Sequence, residues 1–361
     1  MKRIKLFDPY VNIQEEKGII KVLKSHNWAS GNGGKYVEQF EKDFNKFLGS
    51  NDCIAVNSGT AALNLALTLD DYKNKEIILP SLTFTATANA VILNNAKPIF
   101  VDVDPKTLCI DIEQIKKSIT KDTKAIIPVH FAGLACNLTE IMDLCKSHKI
   151  QLIEDAAHAA GTKYQNKRIG SHGDAVCFSF HPVKNLAMPT GGLISINNSK
   201  HKKIREKLSA RRWCGISNRK DTDYDVKEIG WNYYMNEFSA VIGLSQLKKL
   251  DAANKIRQKI AERYHKEFNL EEKMPFEKNC SYHFYWIRVK NQKKFRKKMN
   301  DVGIETGTHY KPVHTFSFYK KNNSLPVTEK IGHEIVSIPT HPNLTKKNIE
   351  KIIDSVNKFL D

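Results

Sequence analysis

Between residue 53 and about residue 197 the apolar residues fall in short runs, separated by polar stretches or stretches with helical spacing. Seven runs have strand length: 53–56, 76–79, 97–101, 125–129, 151–153, 175–180 and 193–196. Between them, Asp111 stands three residues before Gln114 in a capped helix start, and 138–148 has the same texture. Short apolar strands interleaved with helices predict an α/β fold with a mostly parallel seven-stranded sheet, covered on both faces. After Met235 the pattern changes. Phe238, Val241, Ile242, Leu244, Leu247 and Leu250 mark one long helical region over 236–268, intact or interrupted. A strand around 282–289, a helix around 293–302 and a final helix over 346–360 then predict a smaller C-terminal α+β domain. The expected division is a large domain over 1–245 and a small one over 246–361.

A chain of 361 residues is long enough for two such lobes. It contains no run of about 18 apolar residues, so no membrane span is expected. The first residues turn acidic and polar before a signal-peptide core could form. Seven cysteines are scattered singly without a CxxC pair, which argues against a zinc site or a disulfide framework and for a reducing cytoplasm. The net charge of +18 raises the question of a polyanionic partner. The densest cluster, Lys293, Lys294, Arg296, Lys297 and Lys298, reads as the outer face of one amphipathic helix. No zinc-finger or RNA-binding signature accompanies it, so nucleic acid is not the expected partner.

Ligands of open α/β sheets bind outside the carboxyl ends of the strands, and three motifs fall at such ends. In AVNSGTAALNLAL, Ser58, Gly59 and Thr60 sit between a strand and a helix, where free N–H groups and the helix dipole suit a phosphate. In LIEDAAHAAG, Glu154 and Asp155 close a strand, and a buried carboxylate there needs a cationic partner. In FSFHPVKN, Lys184 ends an apolar stretch, and burial lowers the pKa of a lysine toward that of a usable nucleophile. A phosphate cradle, an acid for a pyridinium nitrogen and a lysine for an imine are the three needs of pyridoxal phosphate.

The motifs SGTAAL, PSLTFTATANA, AKPIFVDVD, IIPVHFAG, IEDAAHAAGTKY, FSFHPVKN, GWNYYMNEFSAVIGLSQL and HYKPVH resemble, in order, those of the DegT/StrS family of sugar aminotransferases. These are pyridoxal-phosphate enzymes of fold type I. The resemblance implies that Lys184 carries the cofactor and shuttles protons, and that Asp155 pairs with its ring nitrogen. It places His158 at the phenolic oxygen side and Phe84 against the ring. Ser58, Gly59, Thr60 and Ser179 would hold the phosphate, with Asn232 reaching it from a second subunit of a homodimer. His309, Tyr310, Lys311 and His314 would face the substrate. The implied reaction moves an amino group from L-glutamate to a nucleotide-linked keto-sugar, in amino-sugar biosynthesis for a surface polysaccharide or glycan. Alternatives on the same fold are a sugar dehydratase, in which histidine replaces the lysine, and a regulatory protein. Thr190 stands where the family usually has glutamate, and Tyr234 where many relatives have arginine. With Lys311 at the cavity mouth, the loss of that acid would favour an anionic sugar.

Overall fold

The computed structural model describes residues 3–31, 33–320 and 324–360. Nine strands precede residue 200: β1 (Asp52–Val56), β2 (Glu76–Pro80), β3 (Lys97–Val101), β4 (Thr123–Ile126), β5 (Gln151–Asp155), β6 (Lys163–Tyr164), β7 (Lys167–Arg168), β8 (Ala175–Ser179) and β9 (Gly192–Ile196). β6 and β7 pair only with each other, and the other seven form one sheet in the order β1-β9-β8-β5-β4-β2-β3. β9 is antiparallel to both neighbours, and every other pair in the sheet is parallel. It follows that β1, β5 and β8 all end at one edge of the sheet, and β9 begins there.

Alternate residues of each strand enter different cores, which is why the strands read as continuously apolar. Ile54 and Val56 of β1 join Ile77, Leu79 and Cys177 in one core. Cys53 and Ala55 join Ile78, Val176 and Phe178 in the other. The helices Gly59–Ala66, Thr85–Leu93 and His201–Arg212 cover the first face. Helices Lys35–Leu48, Ile112–Ser118 and Leu138–His148 cover the second. β4 stops at Ile126 and not at 129, because Pro128 has no N–H to give the ladder. β5 runs past its apolar stretch to Asp155, carried by the pairing of Glu154 with Val176 and Asp155 with Cys177.

The helix Glu237–Glu267 is unbroken, with Asn236 as its cap accepting from the Ser239 N–H at 2.8 Å. Two helices that the sequence pattern leaves unassigned, Ile13–Ser25 and Lys35–Leu48, pack against it. A two-stranded ribbon, β10 (Ile216–Lys220) and β11 (Asp223–Val226), stands exposed. In the C-terminal part, β12 (Tyr285–Arg288) pairs antiparallel with β13 (Ile335–Ile338), flanked by helices Gln292–Asp301, Pro326–Glu334 and Lys346–Phe359. Phe284, Trp286 and Ile287 share a core with Phe178. We propose the lobe boundary near residue 246, inside the long helix, on the ground that the chain beyond it builds a sheet of its own. No helix among the described residues is long and apolar enough to cross a membrane.

Candidate active site

The edge where β1, β5 and β8 end opens into a cavity of about 310 Å³. Its floor at β1 is the N-terminus of the helix Gly59–Ala66. The first N–H groups of a helix have no intrahelical acceptors. Ser58, in extended conformation, caps it by accepting from the Ala61 N–H at 3.1 Å. Three segments converge there too closely for side chains. A Cβ on Gly59 would lie 2.7 Å from Ser179 Cβ, and one on Gly192 would lie 2.3 Å from the Ser58 carbonyl oxygen. The Thr190 hydroxyl donates to the Asn57 carbonyl and ties the turn before β9 to the same corner. These glycines let backbone approach backbone, and the result is a concave, N–H-lined corner suited to phosphate.

Asp155 and Glu154 point to opposite sides of the sheet, as neighbours on a strand must. Glu154 is buried against His130 at 2.7 Å. The His130 Nδ1 accepts the Cys136 N–H, so its Nε2–H donates to Glu154. Asp155 faces the cavity. Its carboxylate accepts from the Ala157 N–H at 3.1 Å and the Thr87 hydroxyl at 2.8 Å. Burial pushes its pKa up, partly offset by those two bonds and by the charge of Lys184. Among the described residues it has no ion pair. An acid desolvated in this way is relieved by a cation, and a protonated ring nitrogen is one.

Lys184 sits on the return between β8 and β9. That return is pinned at its ends, where the Phe180 N–H donates to Gly191 O and the Met188 N–H to Phe180 O, both at 2.8 Å. The Phe180 ring packs edge-on against Phe40 and Phe44 at 5.4 and 5.3 Å, contacts of about 0.5–1.5 kcal/mol each beyond area burial. The Lys184 amine makes no hydrogen bond or ion pair among the described residues, and its remaining exposure is to the cavity. Burial lowers its pKa from 10.5 to about 8, against the opposing pull of Asp155. In cofactor-free protein, capture of pyridoxal phosphate by this amine should therefore accelerate with pH up to a midpoint near 8 and level off above it. Below that midpoint the ammonium form dominates, and the rate should fall about tenfold per pH unit. A midpoint near the ordinary lysine value would show a solvated amine and contradict this placement.

The far wall carries imidazoles and a phenol. His158 accepts the Ala132 N–H at Nδ1, so its Nε2–H donates to the Tyr310 hydroxyl at 2.9 Å. The tautomer is set by the backbone, and the Tyr310 proton stays free to serve a ligand. Burial, then the charges of Lys184 and His309, keep His158 uncharged well below the usual histidine range. His309 donates to or accepts from Ser337 Oγ at 2.8 Å and is held down to about 3 by burial, Lys184 and Arg296. Phe84, a residue 58% exposed, lines the cavity with its ring centroid 6.0 Å from that of Tyr310. An exposed aromatic face at this position suits a flat ring stacked upon it.

Of the expected residues, Ser58, Gly59, Thr60, Phe84, Asp155, His158, Ser179, Lys184, His309 and Tyr310 all line this one cavity. Lys311 and His314 do not. Lys311 is exposed with its ammonium 4.7 Å from the Phe316 ring centroid, so it does not join Thr190 in setting the cavity's charge. His314 is buried between Ser81 at 2.6 Å and Glu329 at 3.2 Å. Asn232 is exposed outside its own chain's cavity, its carbonyl accepting from Asn57 Nδ2 at 3.1 Å. Thr87 and His283 are among the cavity residues that the sequence pattern does not single out. Thr87 lies three residues after Phe84, on the same helical face, which is a usable signal. His283, 1% exposed, comes from the C-terminal lobe and reaches the cavity only through packing. The cradle, the desolvated acid and the neutralisable amine together fit pyridoxal phosphate.

Comparison with known proteins agrees. The profile of the DegT/DnrJ/EryC1/StrS aminotransferase family matches residues 10–357. The Bacillus subtilis spore coat polysaccharide biosynthesis protein SpsC is 34% identical over 375 residues, spanning 98% of this chain and 96% of its own. GDP-perosamine synthase of Escherichia coli O157:H7 is 33% identical over 370 residues, spanning 99% of each. PseC of Helicobacter pylori, an aminotransferase involved in the biosynthesis of pseudoaminic acid, superimposes with a TM-score of 0.93 at 30% identity, over 99% of each chain. With its lysine, acid and N–H-lined corner in one cavity, the chain belongs to the DegT/DnrJ/EryC1/StrS aminotransferase family and is a pyridoxal-phosphate-dependent sugar aminotransferase.

Proposed function

We propose that the enzyme transfers an amino group from L-glutamate to the ketone of a nucleotide-linked sugar, making an amino sugar for a surface polysaccharide or glycan. The observation that carries the reading is the placement of Lys184, Asp155 and the corner of Ser58, Gly59 and Thr60 around one cavity. Pyridoxal phosphate, when bound, supplies a carbonyl that takes up the amino group and a ring that accepts an electron pair. The corner of Ser58, Gly59, Thr60 and Ser179 would hold its phosphate, and Asp155 would hold a positive charge at the ring nitrogen. Lys184 would anchor the group covalently. Its amine, with a pKa lowered to about 8 by burial, could both take a proton from the donor's α-carbon and return one to the sugar carbon. His158, kept neutral and oriented by Ala132, fixes the Tyr310 hydroxyl toward the ligand. The names of the E. coli and H. pylori relatives support a sugar acceptor. The test is incubation with glutamate and a panel of nucleotide-linked keto-sugars, read by mass spectrometry. Replacement of one carbonyl oxygen by an amine on a sugar is the expected result. Transfer confined to small keto acids would refute it.

We further propose a homodimer in which Asn232 of the partner subunit completes the phosphate corner. Apolar Ile13, Ile20, Leu23 and Ile229 stand exposed, the last at 84%, as befits a covered face. Light scattering should give about twice the chain mass of 41.2 kDa, and full activity from a monomer would exclude a shared site. All seven cysteines are free thiols, which supports placement in the cytoplasm.

A further inference from the structure

The basic stretch 293–298 is the strongest charge cluster in the chain, and the chemistry at Lys184 makes no use of it. It lies in the helix Gln292–Asp301, whose Phe295 and Met299 are buried. Residues three and four apart share a helical face. Lys293, Arg296 and Lys297 accordingly stand together, while Lys298 is turned away toward the Phe359 ring. With Arg3 they line a second cavity, of about 660 Å³. Part of this charge is compensated: Arg3 pairs with Glu305 at 3.1 Å and Lys297 with Asp301 at 3.3 Å. Among the described residues, Lys293 and Arg296 have no carboxylate partner. Arg296 gives one N–H to the Thr306 carbonyl at 3.1 Å, and its Nε is buried without an acceptor.

This cavity adjoins the active site. Val183, the residue before Lys184, lines both. Phe7, in the second cavity, stacks on His283 of the first with centroids 5.0 Å apart. The charge of Arg296 also reaches His309. Two uncompensated cations, one with an unmet donor, beside the mouth of a sugar site, call for an anion carried on the sugar.

We propose that the cavity formed by Arg3, Lys293, Arg296 and Lys297 binds the diphosphate of the nucleotide carrier, while the sugar ketone reaches Lys184 past Val183. The inference rests on the nucleotide-linked substrate proposed above. A diphosphate offers acceptors to the guanidinium fork, and its charge matches the two unpaired cations. The surplus of positive charge also steers such a substrate to the mouth.

Calorimetry on the cofactor-loaded enzyme with UDP and with GDP tests the site without turnover. At least one should bind, more weakly as salt rises, and uridine should bind far less. In Lys293→Gln/Arg296→Gln the Kd of that diphosphate should rise tenfold or more. The KM for the nucleotide-linked sugar should rise in parallel, and that for glutamate less than twofold. Lys293→Gln alone, at an exposed position whose side chain makes no hydrogen bond or ion pair among the described residues, should give about a threefold loss and serves if the double variant does not fold. Unchanged Kd in both variants would overturn the proposal. So would inorganic phosphate binding as tightly as the nucleoside diphosphate, which would mark a general anion site. If the diphosphate binds and the variants lose it, yet only unlinked keto-sugars are aminated, the site stands and the reading of the substrate falls.

Discussion

Lys184→Ala should lower turnover by a factor on the order of 10³ or more, the scale of a lost proton shuttle with the covalent anchor lost as well. Intact-mass measurement after borohydride reduction supplies an independent reading. The wild-type chain should gain the mass of one reduced cofactor and the variant none. The fold should survive, because the amine makes no hydrogen bond or ion pair among the described residues and its burial disfavours its charge. A variant that retains wild-type turnover would exclude Lys184 from the chemistry.

Asp155→Asn should reduce turnover roughly 10²–10³-fold, as expected when a charge aimed at the reacting group is removed from a desolvated site. Its effect on stability separates two roles. Burial raises the pKa of this carboxyl, so in the cofactor-free protein the negative charge is a cost. The amide keeps an oxygen for Thr87 or Ala157, and the cofactor-free variant should melt no lower than wild type. Cofactor should raise the melting temperature of wild type by more than that of the variant. Unchanged turnover at full occupancy would reduce Asp155 to a hydrogen-bond acceptor for Ala157 and Thr87.

The sheet was legible because both faces of its strands are buried, which leaves a strand-length apolar run wherever one occurs. The helices Ile13–Ser25 and His201–Arg212 were not, for opposite reasons. The first carries Ile13, Ile20 and Leu23 on its outer side, and these blur the stripe that faces the long helix. The second buries only Leu208 and Arg212, so it has hardly any stripe. The ribbon of β10 and β11 is mostly polar and exposed, and its few apolar residues, Ile216, Tyr224 and Val226, are too scattered to make a strand-length apolar run. Within the site, Ser58, Asp155 and Lys184 were readable because each closes a strand or follows one. The motif HYKPVH shows the limit. His309 and Tyr310 line the cavity while Lys311 and His314 turn elsewhere, since irregular backbone has no period from which direction can be read.

The single antiparallel strand of the seven-stranded sheet has a mechanical consequence. Because β9 runs against β8, the chain between them leaves the sheet and returns to it at the same edge, and hydrogen bonds from Phe180 and Met188 close the excursion. A lysine on a free loop would have to be ordered each time it is displaced from the cofactor and recaptures it, at about 1–2 kcal/mol for every backbone residue fixed. Here that ordering is done once, when the protein folds. With Lys184 in the role proposed for it, the amine would swing between the two halves of the reaction on its own side-chain torsions from a fixed pivot, and its return would be a local search of rotamers with no chain closure to repeat.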